Sequence, residues 1–252
     1  MKSARPAGLI PMTDLEGTTA VVTGASRGFG REISTALVTA GARVVGIARK
    51  PDPLHELQDR LGPAFVPIAA DAADESLAVE VLTGHRPTVL VLNAGVVPPM
   101  GPVDELTWAE FSENWSVDTR HAFEWTRAAL RLPLAKGSIV VAMSSGAALR
   151  GSPVSGGYAA AKTGVKFIST YAAAESERRD LGLRFATVFP QLTPATEFGA
   201  AAVAAYAARQ GPTADLPVLT PQQVARHVLD LIGGTAAYVE HALTADGPRE
   251  LG

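Results

Sequence analysis

The sequence contains no cysteine, which excludes disulfides, thiolate metal ligands and cysteine nucleophiles. Its five histidines (His55, His85, His121, His227 and His241) are scattered, and none forms a pair at metal-ligand spacing such as HExxH. Each is expected to be an ordinary surface or core residue, and no metal is expected. No apolar run approaches the ~20 residues of a membrane helix, so no membrane partner is expected. Basic blocks are absent as well: 22 Lys+Arg against 25 Asp+Glu leave a net charge of -3, which argues against nucleic acid as a partner. The opening MKSARPAGLIPMTDLEG lacks the apolar core of roughly 7–15 residues that marks a secretory signal. Residues 1–14 are therefore expected to form a flexible tail, and the cytoplasm is the expected location. Among what is present, 47% hydrophobic residues over 252 positions suit a single domain with a large core, spanning 15–252.

The hydrophobic pattern alternates strand and helix seven times. TTAVVT (18–23), ARVVGIA (42–48), residues 64–69, TVLVL (88–92), SIVVAM (138–143), residues 183–189 and 241–245 read as short buried strands. Apolar residues recurring at three and four mark helices between them, including a long one over 107–132 and another over 158–179. Thr220 followed by Pro221 marks a helix start. Strand–helix alternation predicts an α/β, single-domain, Rossmann-like doubly wound fold, with a mainly parallel seven-stranded sheet and helices on both faces. Beyond the seventh strand the chain is expected to fray.

Two stretches carry chemistry. The first, TGASRGFG, places Gly24, Ser26, Arg27, Gly28, Phe29 and Gly30 between the first strand and the first helix. Missing side chains let a pyrophosphate approach the backbone, and the helix N-terminus offers free N–H groups and a positive dipole end. The same residues match GxSxG, a nucleophile elbow with Ser26 as the attacking group and His227 or His241 as its base, so a serine hydrolase stays open. About twenty residues on, where an Asp or Glu would bind the adenosine ribose of NAD, stand Ala48 and Arg49. With Arg27, an arginine pair and no carboxylate favour a 2′-phosphate, hence NADP(H) ahead of NAD(H).

The second stretch, SGAALRGSPVSGGYAAAK, puts Ser145 thirteen residues before Tyr158 and Lys162 four after it. A spacing of four on a helix sets Lys162 one turn from Tyr158 over the same face. A phenol ordinarily titrates near about 10, and a fixed ammonium beside it favours the phenolate. Ser145, from the end of the preceding strand, is placed to hydrogen-bond the same substrate oxygen. The trio suits proton transfer to or from an alcohol or carbonyl oxygen.

Together TGASRGFG, LNAG (92–95) and the Ser–Tyr–Lys spacing resemble the short-chain dehydrogenase/reductase family, over about residue 15 to the C-terminus. The resemblance implies that Tyr158 is the general acid/base, that Ser145 orients the substrate, and that Lys162 tunes the tyrosine and holds the nicotinamide ribose. It implies cofactor contacts at Asp71 and Ala72, at Asn93, Ala94 and Gly95, and at Pro190 and Thr193 (with Thr196 as an alternative). It also implies a homo-oligomer, tetramer ahead of dimer, paired partly through the 107–132 helix, and a substrate lid over 195–217. Three positions depart from the family pattern. Leu92 replaces the first Asn of NNAG, Gln191 replaces a Gly after Pro190, and Asp118 stands where the family has an Asn that organises a water behind the lysine. Asp118 is expected to take over that place, with Asn114 one turn earlier as a possible helper, and its charge is expected to oppose phenolate formation.

The implied activity is interconversion of a carbonyl and a secondary alcohol, with reduction of a medium-sized apolar ketone favoured. Val96, Val97, Met100, Val154 and the lid suggest an apolar pocket, with burial in the core as the alternative for the same residues. A cofactor-binding protein without turnover, acting as a sensor or structural partner, is the alternative of a different class.

Overall fold

The computed structural model describes residues 14–132, 134–210 and 218–251. The expected tail lies outside them, Asp14 excepted. The chain runs β1 (Thr19–Thr23), α1 (Gly28–Thr39), β2 (Arg43–Ala48), α2 (Pro51–Leu61), β3 (Phe65–Ala69), α3 (Glu75–His85) and β4 (Val89–Leu92). It continues with α4 (Trp108–Asn114), α5 (Arg120–Arg131), β5 (Ile139–Met143), α6 (Ala147–Arg150), α7 (Gly156–Arg178) and β6 (Arg184–Pro190). Last come α8 (Glu197–Gln210), α9 (Pro221–Gly233), β7 (Tyr238–Thr244) and β8 (Gly247–Glu250).

The strands form one sheet in the order β3-β2-β1-β4-β5-β6-β7-β8. Every pairing through β7 is parallel, and only β7–β8 is antiparallel. Parallel strands covered on both faces must be apolar on both, because helices pack above and below. VLVL of β4 and IVVAM of β5 are accordingly buried at every residue. Val22, Val91, Val141 and Val188 pack with Ile33, Leu37, Val224 and Val228 of α1 and α9. Their neighbours Val21, Leu90, Val140 and Phe185 face the other way, with Trp125 of α5 and Ala172 of α7. The side-chain alternation of a strand thus divides the core into two layers.

Among the described residues the sheet has eight strands where the sequence pattern predicts seven. After β7 the chain reverses at Ala245-Asp246, Thr244 pairs with Gly247 in register, and Gly247, at φ +121°, opens β8. The tail expected to fray is instead a short edge strand, and Leu251 N–H donates to Glu240 O at 2.8 Å. GPRE of β8 has no apolar alternation to announce it, since it is mostly exposed at the sheet's edge.

The long helix expected over 107–132 is helical without a break over 108–131, but it carries a π turn. Thr107 and Glu110 close a capping box at its start, but Trp115–Thr119 forms a π-helical turn between α4 and α5. A π turn inserts one extra residue, which re-aims the side chains on it. It turns Asp118 into the protein, where it is 1% exposed. Thr220 caps α9 and Pro221 opens it, as the sequence predicts.

Candidate active site

The order reversal between β1 and β4 puts a crevice at the carboxyl ends of the strands, the usual ligand position in open α/β sheets. The turn after β1 enters it. Gly28 sits at φ +52°, a left-handed conformation that favours glycine. A Cβ on Gly30 would stand 2.1 Å from Gly24 O, so only glycine lets α1 start this close to the strand end. The first residue before α1, Arg27, makes no side-chain cap, and the first turn carries no acidic residue. No acidic residue of α1 itself compensates its positive end, which fits a phosphate. Gly24, Ser26, Gly28 and Phe29 all line this turn. Arg27 is exposed there and ion-paired with Glu197 at the start of α8. Arg49 is exposed immediately past β2.

Asn93 braces this turn. Its Nδ2 donates to Thr23 O at 3.1 Å and Gly24 O at 3.2 Å. Thr23 Oγ1 accepts from Asn93 N–H at 2.9 Å and Ala94 N–H at 3.1 Å. The ends of β1 and β4 are thus fixed to each other, and Thr23 is a bracing residue that the sequence pattern gave no reason to single out. Asp71 accepts from Ala73 N–H at 2.9 Å, while Asp74 is the residue that caps α3. Ala72 is buried, and its carbonyl accepts from Trp125 Nε1–H at 2.8 Å. Pro190 ends β6. Thr193 is buried with its hydroxyl donating to Gln191 O at 3.0 Å, and Thr196 Oγ1 donates to Thr193 O at 2.9 Å.

The expected proton-transfer residues converge. β5 ends at Met143, and Ser144 and Ser145 follow. Ser144 Oγ–H donates to Lys162 O at 2.8 Å, tying the strand end to α7. Ser145 Oγ accepts from Ala147 N–H at 3.2 Å and interacts with the Tyr158 hydroxyl. Lys162 Nζ lies 5.6 Å from the Tyr158 ring centroid. The ammonium donates to Met143 O at 3.2 Å and lies 3.2 Å from Asp118 Oδ2. Asp118 Oδ1 accepts from Val96 N–H at 3.0 Å, and Asn114 Nδ2 donates to Val96 O at 3.0 Å. Asn114 and Asp118 therefore grip both polar groups of Val96 and hold the loop after β4. The buried Oδ1 of Asn114 has no hydrogen-bond partner.

The electrostatics differ from the simple picture of an acidified phenol. Burial raises the pKa of Tyr158 and outweighs the lowering by Lys162 and by the Ser145 hydrogen bond, and Asp118 adds to the rise. The net shift is upward, because the ring is only 8% exposed beneath Phe198, whose ring centroid is 4.7 Å away. Burial opposes the charge of Lys162, but Asp118 and then Tyr158 more than offset it, so the ammonium is reinforced.

His121, one turn beyond Asp118, is one of the histidines expected to be a surface or core residue, and it lies in the core. It is buried with Nε2 unpartnered, and burial, then Lys162, hold its pKa down to about 3. His227 is lowered to about 4 by burial and by His241. A neutral histidine with a folded pKa below the unfolded value of about 6.5 contributes stability that is complete above that value and declines as pH falls toward the folded pKa. Melting temperature is therefore expected to fall between about pH 6.5 and 4, with a shallower decline in His121→Leu. Thermal scans across that range check this.

Val154 belongs to the core. A cavity of about 280 Å³ opens between the Pro102–Leu106 segment, Phe111, Pro153 and Arg209. Tyr158, Val96, Val97 and Met100 are not among its lining residues, and Phe198 packs against the Tyr158 ring. The two hydrolase candidates, His227 and His241, hydrogen-bond each other at 3.0 Å, and among the described residues neither is hydrogen-bonded to Ser26.

Known proteins resemble this chain in sequence and in fold. The family model described as short chain dehydrogenase covers residues 18–207. D-threitol dehydrogenase of Mycolicibacterium smegmatis is 30% identical over 251 residues, 92% of this chain and 93% of that protein. L-xylulose reductase of Bos taurus is 34% identical over 139 residues, 54% of this chain and 57% of that protein. A solved short-chain dehydrogenase/reductase from Brucella melitensis, described as SDR:Glucose/ribitol dehydrogenase, superposes with a TM-score of 0.77 at 23% identity, over 91% of this chain and 97% of that one. The chain belongs to the short-chain dehydrogenase/reductase family of oxidoreductases.

Proposed function

We propose that this protein interconverts a carbonyl and a secondary alcohol with NADP(H), working as a reductase of a medium-sized apolar ketone. The observation that carries the reading is the buried chain Tyr158–Lys162–Asp118, with the half-buried Ser145 beside Tyr158, at the carboxyl edge of the sheet. The turn Gly24–Gly30, the uncapped start of α1, Arg27 and Arg49 would hold the dinucleotide, with Asp71, Ala72, Asn93, Ala94, Gly95, Pro190 and Thr193 along the same crevice. A nicotinamide dinucleotide bound there supplies the hydride. Ser145 orients the substrate oxygen, and Tyr158 donates the proton to it. Lys162 compensates the charge left on the phenol oxygen. Asp118 positions Lys162 and holds it as an ammonium.

The two arginines and the missing acidic residue after β2 support NADP(H) over NAD(H). A relative of Haemophilus influenzae, 30% identical over 197 residues, is named a probable NADP-dependent dehydrogenase. A solved 3-ketoacyl-(acyl-carrier-protein) reductase of Brucella melitensis with the same fold was complexed with NADH, so the fold alone does not choose. The exposed Trp115, Phe123, Phe167 and Tyr171 of the α4–α5 and α7 region support a homo-oligomer, because large apolar side chains left open on neighbouring helices favour a partner.

A panel of ketones tested by NADPH oxidation is the direct experiment. Turnover with NADPH, slower with NADH, is expected. Tight NADPH binding with no turnover on any ketone would favour the sensor reading, for which Phe198 lying over Tyr158 is the supporting observation.

A further inference from the structure

The segment between β6 and α8 is held by its own hydrogen bonds. Thr193 O accepts from Thr196 N–H at 3.1 Å and from Thr196 Oγ1 at 2.9 Å. Thr196 Oγ1 in turn accepts from Gly199 N–H at 2.9 Å, which fixes the first turn of α8. Two consecutive side chains of that turn then reach two different parts of the site. Glu197 pairs with Arg27 in the glycine turn, and Phe198 lies against the Tyr158 ring, 4.7 Å between centroids and tilted by 36°. Farther along α8, Tyr206 OH is 2.7 Å from Ser152 Oγ, which is 2.7 Å from Ser155 Oγ at the start of α7. The helix is thus attached at one end to the turn expected to take the cofactor phosphates and at the other to the loop leading into Tyr158.

A guanidinium recognises a carboxylate and a phosphate by the same planar, charge-assisted hydrogen bonds. One Arg27 cannot serve both fully, and a carboxylate beside an arriving phosphate repels it. We infer that Glu197 is an internal competitor for the phosphate site on Arg27, so that binding of a 2′-phosphorylated dinucleotide releases the first turn of α8 and withdraws Phe198 from Tyr158. The inference rests on the assignment of Arg27 to the phosphate of NADP(H). It makes Glu197 a determinant of cofactor affinity and the 2′-phosphate a key to the proton-transfer site. Arg27 and Glu197 are 56% and 65% exposed, and exposed pairs are weak, so the latch is one that a dinucleotide phosphate can open.

Isothermal titration calorimetry of NADPH and NADH into the wild-type protein, Glu197→Gln, Arg27→Gln and the double variant tests this. Glu197→Gln is expected to bind NADPH about two- to fivefold more tightly, from the size of an exposed ion pair, with NADH unchanged and with no gain in the Arg27→Gln background. Amide exchange over residues 197–206 is expected to be faster in free Glu197→Gln than in free wild type. Equal NADPH affinity in Glu197→Gln and wild type, an equal gain for NADH, or the same gain without Arg27 would overturn the coupling. If Arg27→Gln weakens NADPH while Glu197→Gln changes nothing, the coupling alone fails. If Arg27→Gln leaves NADPH binding unchanged, the cofactor assignment of Arg27 fails and takes the coupling with it.

Discussion

Tyr158→Phe is expected to lower kcat for ketone reduction by about 10²–10⁴-fold, the usual contribution of a positioned proton donor, with KM little changed. The substitution removes one oxygen and keeps the ring that packs under Phe198, so the fold and the affinity for NADPH should survive. That separates chemistry from structure: a loss confined to kcat marks an interaction made in the transition state. The raised pKa of Tyr158 bears on direction. A phenol that keeps its proton at neutral pH is ready to donate, which suits reduction, whereas alcohol oxidation needs the phenolate and should require alkaline conditions. Steady-state kinetics of the pure variant, with calorimetric titration of NADPH as the control, measure both parts.

Asp118→Ala should be the most destabilising of the site substitutions. The carboxylate is buried, its Oδ2 faces Lys162 Nζ at 3.2 Å, and its Oδ1 accepts the Val96 N–H. Removing it strands a buried ammonium and a backbone donor together. Breaking a buried ion pair from one side costs about 3–5 kcal/mol, and each kcal/mol lowers the melting temperature of a chain this size by about 2–4 °C. A drop on the order of 10 °C in a thermal scan is therefore expected. Asp118→Asn keeps a carbonyl oxygen for Val96 and a polar neighbour for Lys162, so its drop should be clearly smaller. Equal melting temperatures for wild type and Asp118→Ala would mean that the pair contributes nothing to the fold.

The sequence made the sheet readable because parallel strands buried on both faces are continuous apolar runs, as in VLVL and IVVAM. It also made Ser145, Tyr158 and Lys162 readable, since two of them lie four apart on one helix. Three features stayed out of reach for physical reasons. β8 is an exposed edge strand without apolar alternation. The π turn at Trp115–Thr119 leaves the heptad-like pattern nearly intact while shifting which residues face inward. The sign of the Tyr158 shift depends on burial under Phe198, a contact between residues forty apart in the chain, and no local spacing encodes it. Arg27 was visible in the sequence as a charge near a glycine turn, but its pairing with Glu197 follows only once α8 folds back over that turn.

On the proposed reading, proton transfer runs through a tyrosine whose acidity is set by Lys162 on one side and by burial and Asp118 on the other. The pH profile of kcat/KM for ketone reduction, in wild type and in Asp118→Asn, tests it most directly, because that profile reports the ionisation of the free enzyme's essential acid. The account predicts wild-type activity that persists through neutral pH and is lost only in the alkaline range. It also predicts that the alkaline limb moves to lower pH in Asp118→Asn, since the charge that raises the phenol's pKa has gone. An alkaline limb that stays in place or moves upward in Asp118→Asn would contradict it.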